Sequence, residues 1–244
     1  MNRDKNFYYV FVMFLFVTCF TTCYILSNRI IQFGGLLATA SALVYPLTYF
    51  IAVLFYERYG KNRTFELVDF AVCSLVFMGV LFAFASSFDV YNDVDGLEKI
   101  FNTDFRVLVS SMVGFIVGQY TLIRLYDFLG GKKGFDFLIA GVIAITIDSF
   151  LFIFLGYIGS ISFAEVLNLA TGQYALNVVA IIVYALCFNS IITTLLKTKE
   201  VEKKEEKKVE TKKAARKPST KKTTKTTTKT TKTTKATKKE KEEK

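Results

Sequence analysis

Polar side chains inside apolar stretches are the residues of this chain whose chemistry could serve binding. Asp148 stands near the middle of the apolar stretch 137–158, with no basic residue nearby in the sequence. A charged side chain in such a position costs about 2.5–3.5 kcal/mol on membrane-insertion scales, and it usually faces other helices. We therefore expect Asp148 to pair with a polar group, to be protonated, or to bind a ligand. The purely structural alternative is a neutral acid that bridges two helices.

Pro46 cannot donate a backbone hydrogen bond, so we expect it to bend a predicted membrane helix. The bend would serve packing alone or free carbonyl groups that line a cavity.

Five further polar residues are candidates for the same site as Asp148. Glu57 is either a site residue or an ordinary carboxylate at the membrane boundary, and Asn28 is either a cavity donor or a helix end cap. The candidate substrate-binding residues are Asn28, Thr48, Tyr49, Glu57, Gln119 and Asp148.

A face of small residues precedes Gln119. Ser111, Gly114 and Gly118 recur at helical spacing, and small residues let two membrane helices approach closely. Gln119 adds two hydrogen-bond donors and an acceptor at the same place. The pattern predicts close helix packing first and ligand binding second.

The residue types needed for most catalysis are missing from this sequence. The chain has no histidine, so a zinc or haem site and a Ser-His or Cys-His nucleophile cannot be completed. It also has no phosphate-binding glycine loop and no nucleophile elbow. We therefore expect no enzymatic activity, no metal, no cofactor and no ATP hydrolysis by this chain itself. The four cysteines all lie in apolar stretches and are expected to be small buried thiols, either in lipid or at helix contacts: Cys19, Cys23, Cys73 and Cys187.

The distribution of apolar residues indicates an all-α, polytopic membrane protein. Hydrophobic residues make up 52% of the 244 positions, and a spanning helix needs about 20 mostly apolar residues. Residues 1–196 are therefore predicted to form a transmembrane domain of six helices. The predicted helices are 7–27, 34–56, 67–88, 107–129, 137–158 and 173–196.

Charges in the connecting segments orient these six helices. Basic residues concentrate on the cytoplasmic side of membrane proteins. If the chain crosses the membrane six times, four basic segments fall on the same side. They are the segment with Arg3 and Lys5, the one with Arg58, Lys61 and Arg63, the one with Arg124, Lys132 and Lys133, and the basic tail. The opposite side carries mostly acids, namely Asp89, Asp93, Asp95, Glu98, Asp104 and Glu165. Both termini are therefore predicted to be cytoplasmic.

Residues 197–244 form a basic, low-complexity, Lys/Thr-rich C-terminal tail. This segment holds 20 Lys or Arg and eight Glu, whereas the 196 residues before it hold 11 basic and 13 acidic residues. Residues 197–213 could continue the sixth helix, and the rest is predicted to be disordered because it has little to bury. The tail is either a solvated extension or a contact to anionic lipid or nucleic acid.

Several ordered motifs resemble the queuosine precursor transporter family, within the wider vitamin-uptake transporters. They are Ser27-Asn28, Tyr45-Pro46-Leu47-Thr48-Tyr49, Glu57-x-Tyr59-Gly60 with Arg63, the Ser-rich segment before Gln119, and Ile147-Asp148-Ser149 with Phe152. The resemblance covers about residues 10–195. The chain departs from the family pattern at Val53 and Leu122, where the family has acids, and near Asn177, where it has a lysine.

The resemblance implies import of a deazapurine such as 7-cyano-7-deazaguanine across a bacterial inner membrane. Carboxylates such as Glu57 and Asp148 suit the N–H groups of such a base, amides such as Asn28 and Gln119 suit its carbonyl and nitrile, and an aromatic ring suits its flat face. The implied partners are this small molecule and the lipid bilayer, with a homo-oligomer left open.

Two other classes of function fit the same sequence. One is the substrate-binding subunit of an energy-coupling-factor vitamin uptake system, which would need a separate membrane subunit and ATPases. The other is a membrane anchor whose basic tail binds RNA or anionic lipid. Co-purifying ATPases would favour the first, and loss of function on deletion of 197–244 would favour the second.

Overall fold

The computed structural model describes residues 3–85, 105–131 and 134–215. Within these ranges it has six α-helices and a two-stranded antiparallel hairpin, in which Ile30 pairs with Thr39. A 3-10 helix, Ala40–Leu43, follows the hairpin. The helices are α1 (Arg3–Ser27), α2 (Tyr45–Tyr59), α3 (Lys61–Ala85), α4 (Phe105–Phe128), α5 (Gly134–Tyr157) and α6 (Phe163–Ala215), and the strands are β1 (Ile30–Phe33) and β2 (Leu36–Thr39).

Five of these helices are long and apolar enough to cross a membrane. They are Phe7–Ser27 within α1, then α3, α4 and α5, and Phe163–Phe188 within α6. Large apolar side chains such as Phe77, Val183 and Leu186 are more than half exposed on the outside of the helices. An apolar exterior of this kind belongs against lipid rather than water. The prediction of an all-α, multi-pass membrane protein is confirmed.

The second predicted membrane helix, 34–56, is wrong in its first half. Gly34 and Gly35 have φ angles of 58° and 86°, which glycine adopts without the strain of a side chain. They form the turn of the β-hairpin, so the chain pairs with itself here instead of continuing a helix. The helix α2 starts only at Tyr45 and has 15 residues, about 22 Å at the usual rise.

The predicted kink at Pro46 is also wrong. Pro46 stands in the first turn of α2, where its missing N–H would have had no partner in the helix. It therefore helps to start the helix and does not bend it. Nine of the 15 residues of α2 are buried, Thr48, Tyr49 and Val53 among them. This short helix is enclosed by the longer ones.

The small-residue face of α4 packs against α5, as the sequence predicted. A Cβ atom on Gly118 would collide with the Tyr49 hydroxyl and would lie 2.8 Å from Cβ of Asp148. A Cβ atom on Gly114 would lie 2.5 Å from Oδ1 of Asp148. Only glycine permits this approach, so the small residues bring the α4 backbone directly onto the acid of α5.

The ends of α4, α5 and α1 meet at the level of the hairpin. Arg106, at the start of α4, donates from Nε to the carbonyl of Leu155 over 2.8 Å and also bonds the carbonyl of Ile158. Carbonyls at a helix end have no partner within the helix, so the guanidinium group satisfies the end of α5. The Tyr157 hydroxyl donates to the Ser27 carbonyl over 2.7 Å, which fixes α5 to α1.

Some sequence predictions fall on parts of the chain outside the described residues. These are the acidic segment with Asp89, Asp93, Asp95, Glu98 and Asp104, the residues Lys132 and Lys133, and the tail from 216 onward. The described chain divides into two compact units at Val201. The second unit is described through Ala215, as the last part of α6. The orientation of the termini stays a prediction.

Candidate functional site

A small cavity lies among α1, the 3-10 helix, α2, α4, α5 and α6. Its volume is about 30 Å³, where a water needs about 10–15 Å³ by the same measure. Its wall combines aromatic rings with hydroxyl, amide and carboxyl groups. The lining residues are Phe20, Cys23, Tyr24, Ser27, Ser41, Tyr45, Ser111, Asp148, Ser149, Phe152, Gln173 and Asn177.

Asp148 is the acidic group of this wall. It is buried, with 3% of its surface exposed, and its Oδ2 accepts a hydrogen bond from the Tyr49 hydroxyl over 3.0 Å. Tyr49 is itself fully buried on α2. None of the described lining residues is a lysine or an arginine. The carboxyl group is therefore held by a tyrosine in a cavity without a cation, which leaves it acceptor capacity for a ligand.

Thr48 and Gln119 form a second buried pair next to the first. The Thr48 hydroxyl donates to the Tyr45 carbonyl over 2.7 Å and accepts from Nε2 of Gln119 over 3.2 Å. Oε1 of Gln119 is buried and has no hydrogen-bond partner among the described residues. Neither residue lines the cavity, but Thr48 is adjacent to Tyr49 on α2. The pair supports the helix that positions Tyr49.

The structure brings α6 into the site through two amides, Gln173 and Asn177. They are four residues apart, so they share one face of the helix, and both are buried. Nδ2 of Asn177 donates to the Ser149 hydroxyl over 3.1 Å, and its Oδ1 is buried without a hydrogen-bond partner in the described chain. An unsatisfied buried acceptor is uncommon and costly, so this oxygen is available to a ligand donor.

The hairpin contacts α6 near Gln173. The Thr39 hydroxyl and backbone N–H both donate to Oε1 of Gln173, over 2.8 and 3.1 Å. The Leu37 backbone N–H donates to Oδ1 of Asn168 over 2.9 Å. Gly172 makes room for this contact, because a Cβ atom there would collide with the Leu37 carbonyl. The hairpin is therefore bonded to α6 at Gln173, a residue of the cavity wall.

Two of the six predicted site residues lie elsewhere. Glu57 is half-buried and accepts a hydrogen bond from the Tyr126 hydroxyl over 2.9 Å. It follows Tyr49 by eight residues of α2, about 12 Å along the axis, and it does not line the cavity. Asn28 is exposed at the end of α1, where its Nδ2 is 3.4 Å from the Tyr24 and Ile25 carbonyls. This geometry fits a helix end cap, the second of the two roles considered for Asn28.

The remaining four predicted residues come together around α2. Tyr49 and Asp148 are directly bonded, and Thr48 and Gln119 are bonded beside them. Of these four, Asp148 lines the cavity, and the other three lie behind its wall. The sequence pattern does not point to Ser41 or Gln173, because the bonds that join them run through Thr39 of the hairpin, where the pattern predicts a helix over 34–56. A signal existed in the three amides Asn168, Gln173 and Asn177 within an otherwise apolar stretch.

The described residues hold no group of three or more His, Cys, Asp or Glu side chains that could bind a metal ion. The cysteines are all free; Cys19 and Cys23 are buried, whereas Cys73 and Cys187 are exposed on the outside. The first two lie at helix contacts, and the last two lie on the outer surface, which are the two placements that the sequence leaves open. Their surroundings on α3 and α6 are apolar, which fits thiols that face lipid.

A buried cavity with aromatic walls and a few polar groups is the usual form of a small-molecule binding site, and in membrane transporters such sites lie between the helices. A family model described as "Putative vitamin uptake transporter" matches residues 39–192. This range is more than half of the chain and includes Tyr49, Asp148 and Gln173. The chain belongs to this family of membrane transporters of the vitamin-uptake type. No curated protein matches the sequence, and no solved structure matches it either.

Proposed function

We propose that this chain imports a queuosine precursor, such as 7-cyano-7-deazaguanine, across a bacterial inner membrane, with both termini in the cytoplasm. The observation that carries the proposal is the buried carboxyl group of Asp148, which is bonded by Tyr49 and faces a cavity whose described lining contains no lysine or arginine. A base with N–H groups along one edge supplies the donors that such a carboxyl group can still accept.

The rest of the cavity wall supports a flat heterocyclic ligand. Phe20, Tyr45 and Phe152 line it, and aromatic rings pack well against the faces of a planar base. Gln173 and Asn177 add amide groups on the side of α6. A base that is bonded along its edges and stacked on its faces would be selected by shape and by hydrogen bonding together.

Entry of such a ligand needs a rearrangement, because about 30 Å³ holds one or two waters and not a bicyclic base. On the α6 side, hydrogen bonds of Thr39 with Gln173 and of Leu37 with Asn168 join the hairpin to the helix. Separation of the hairpin from α6 would widen the cavity toward one side of the membrane. Movements around a central site are the general mechanism of secondary transporters.

Uptake in cells that cannot synthesise the deazapurine tests the proposal. The base is supplied outside at low concentration, and queuosine in tRNA is measured. We expect the wild-type chain to restore queuosine and Asp148→Asn to reduce uptake at least about tenfold, as the loss of one charged hydrogen-bond partner predicts. Asp69→Asn is the matched control, since Asp69 is an exposed acid on α3 that accepts from Tyr120.

Glu57→Gln is a second variant in the same assay. Because Glu57 lies outside the cavity, we expect it to leave the concentration for half-maximal uptake unchanged. Absence of queuosine with a well-expressed wild-type chain would count against the proposed function. Uptake by Asp148→Asn equal to that of the wild type would remove Asp148 from the site and leave the transport activity in place.

A further inference from the structure

The side-chain amide of Gln173 has a fixed orientation in the cavity wall. Its Oε1 accepts from the backbone N–H of Thr39 over 3.1 Å. A backbone N–H can only donate, so the amide atom that faces it must be the oxygen. The nitrogen Nε2 is then the end of the amide that remains for a ligand. Gln173 lines the cavity and is 3% exposed, so this donor lies where water is scarce.

A chain of hydroxyl groups strengthens this orientation. The Thr39 hydroxyl uses its hydrogen on Oε1 of Gln173 over 2.8 Å. The hydrogen bond of 2.6 Å between the Thr39 and Ser41 hydroxyls must therefore be donated by Ser41. All donors in the sequence Ser41 to Thr39 to Gln173 point the same way. Whenever the hairpin is closed on α6, the orientation of the amide is fixed, so an enclosed ligand does not have to orient it.

A second residue of the same cavity wall carries an acceptor. The Asp148 carboxyl group accepts from Tyr49 and has capacity for further donors. The cavity therefore places a fixed donor on α6 and an acceptor on α5. A ring edge with a carbonyl next to an N–H group is complementary to this pair. A ring edge with an amino group next to an unprotonated ring nitrogen is not, because donor would face donor and acceptor would face acceptor.

We propose that Gln173, held by Thr39, is the specificity-determining residue that makes the cavity select 6-oxo purine-like bases and reject 6-amino ones. This inference rests on the proposed function, since it assumes that the ligand is a deazapurine. A buried polar group that is left unpaired by the wrong ligand penalises that ligand strongly. Selection therefore comes from the donor of Gln173 as much as from the cavity's shape.

Two probe ligands differ only in this edge: 7-cyano-7-deazaguanine, and the 2-amino-6-amino analogue of the same base. Their dissociation constants are measured by calorimetry on the purified full chain in detergent. We expect the wild type to bind the 6-oxo base at least about 100-fold more tightly, as two mismatched buried pairs predict. Gln173→Glu keeps an oxygen for Thr39 and replaces the donor with an acceptor. Its preference should fall about 100-fold or reverse.

The matched control is Asn168→Asp, the same amide-to-acid change on the same helix. Asn168 accepts a hydrogen bond from the Leu37 backbone N–H of the hairpin and does not line the cavity. The preference of this variant for the 6-oxo base should therefore stay within about threefold of the wild-type preference, a smaller change than the loss of one ligand hydrogen bond would cause. Gln173→Met provides a neutral variant of similar size should the acid prevent folding, and it should lower the preference to about tenfold, because the pair with Asp148 remains.

The outcomes separate the two claims. A wild type that binds the 6-oxo base, with the same preference retained in Gln173→Glu or in a folded Gln173→Met, would overturn the role of Gln173 and leave the proposed function intact. Loss of preference in Asn168→Asp as well would assign the effect to the hairpin contact and overturn it too. A folded wild type that binds neither base would overturn the proposed function itself.

Discussion

Two clusters of tyrosines and acids lie at different levels of α2 and differ in what surrounds them. The inner cluster consists of Tyr49 and Asp148, with Thr48 and Gln119 beside them, and all four are buried. The outer cluster consists of Glu57 with Tyr126 and of Asp127 with Tyr56 and Lys61. In the outer cluster, the side chains of Lys61 and Asp127 are 41% and 40% exposed.

The same chemistry serves different ends in the two clusters. In each, a tyrosine hydroxyl donates to a carboxyl group, over 3.0 Å for Tyr49 and Asp148 and over 2.9 Å for Tyr126 and Glu57. The outer cluster adds a cation, because Nζ of Lys61 is 2.6 Å from Oδ2 of Asp127. Among the described residues, the inner cluster and the cavity beside it contain no lysine or arginine. An acid that has a cation and solvent nearby has its charge balanced, whereas a buried acid without either needs further hydrogen-bond donors beyond its tyrosine.

The largest expected effect comes from closing the space beside the inner cluster. Gly118→Ala would place a methyl group against the Tyr49 hydroxyl and 2.8 Å from Cβ of Asp148. Overpacking of this kind costs about 1–3 kcal/mol, and it displaces the acid that we assign to the site. We expect a lower thermal unfolding midpoint in detergent and the loss of uptake.

Gly79→Ala is the matched control for this change. A Cβ atom there would meet only the end of the flexible Leu108 side chain, at 2.8 Å, which can rotate away. Equal loss of stability in the two variants would show that the contact of Gly118 with the inner cluster has no special weight.

A smaller effect separates the two tyrosine-acid pairs. Tyr49→Phe should destabilise the protein by about 1–2 kcal/mol, because it leaves a buried carboxyl group with one partner fewer. Tyr126→Phe should cost about 0.6 kcal/mol, the average for such bonds in membrane proteins, since the half-buried Glu57 can turn toward water. Unfolding midpoints and ligand affinities of the two variants are compared in the same detergent, and Tyr49→Phe alone should weaken ligand binding.

The reverse order for these two variants would contradict the comparison. It would mean that the outer cluster, and not the inner one, contains the acid on which the fold and the site depend.

The smallest effect is expected for Lys61→Met. The ion pair between Lys61 and Asp127 is exposed on both sides, and exposed pairs contribute little because solvent screens them. We expect uptake and the unfolding midpoint to match the wild type within error, at low and at high salt. A clear loss of uptake with unchanged stability would give the outer cluster a part in transport that its exposure does not suggest.

Local sequence was sufficient for much of the fold and for part of the site. Runs of apolar residues predicted the long helices α1, α3, α4, α5 and α6, since burial of that many apolar residues in lipid requires little else. The cost of an acid among them singled out Asp148. The glycine spacing of α4 predicted close packing, because only small side chains permit it.

The hairpin and its contacts could not be read from the same pattern. Residues 34–56 are apolar enough to pass for one membrane helix, but the glycine turn and Pro46 divide them into a hairpin and a short buried helix. Gln173 and Ser41 came into the site only through that hairpin.

The apolar pattern alone was enough to place the five long helices and to mark Asp148 as an acid that must be enclosed, because both follow from the transfer of side chains between water and lipid. The packed structure was needed to show that Asp148 bonds Tyr49 and faces an amide-lined cavity, while Glu57 and Asn28 lie outside it. Those neighbours come from helices that are distant along the chain, and their placement depends on how α2, α5, α6 and the hairpin pack against one another.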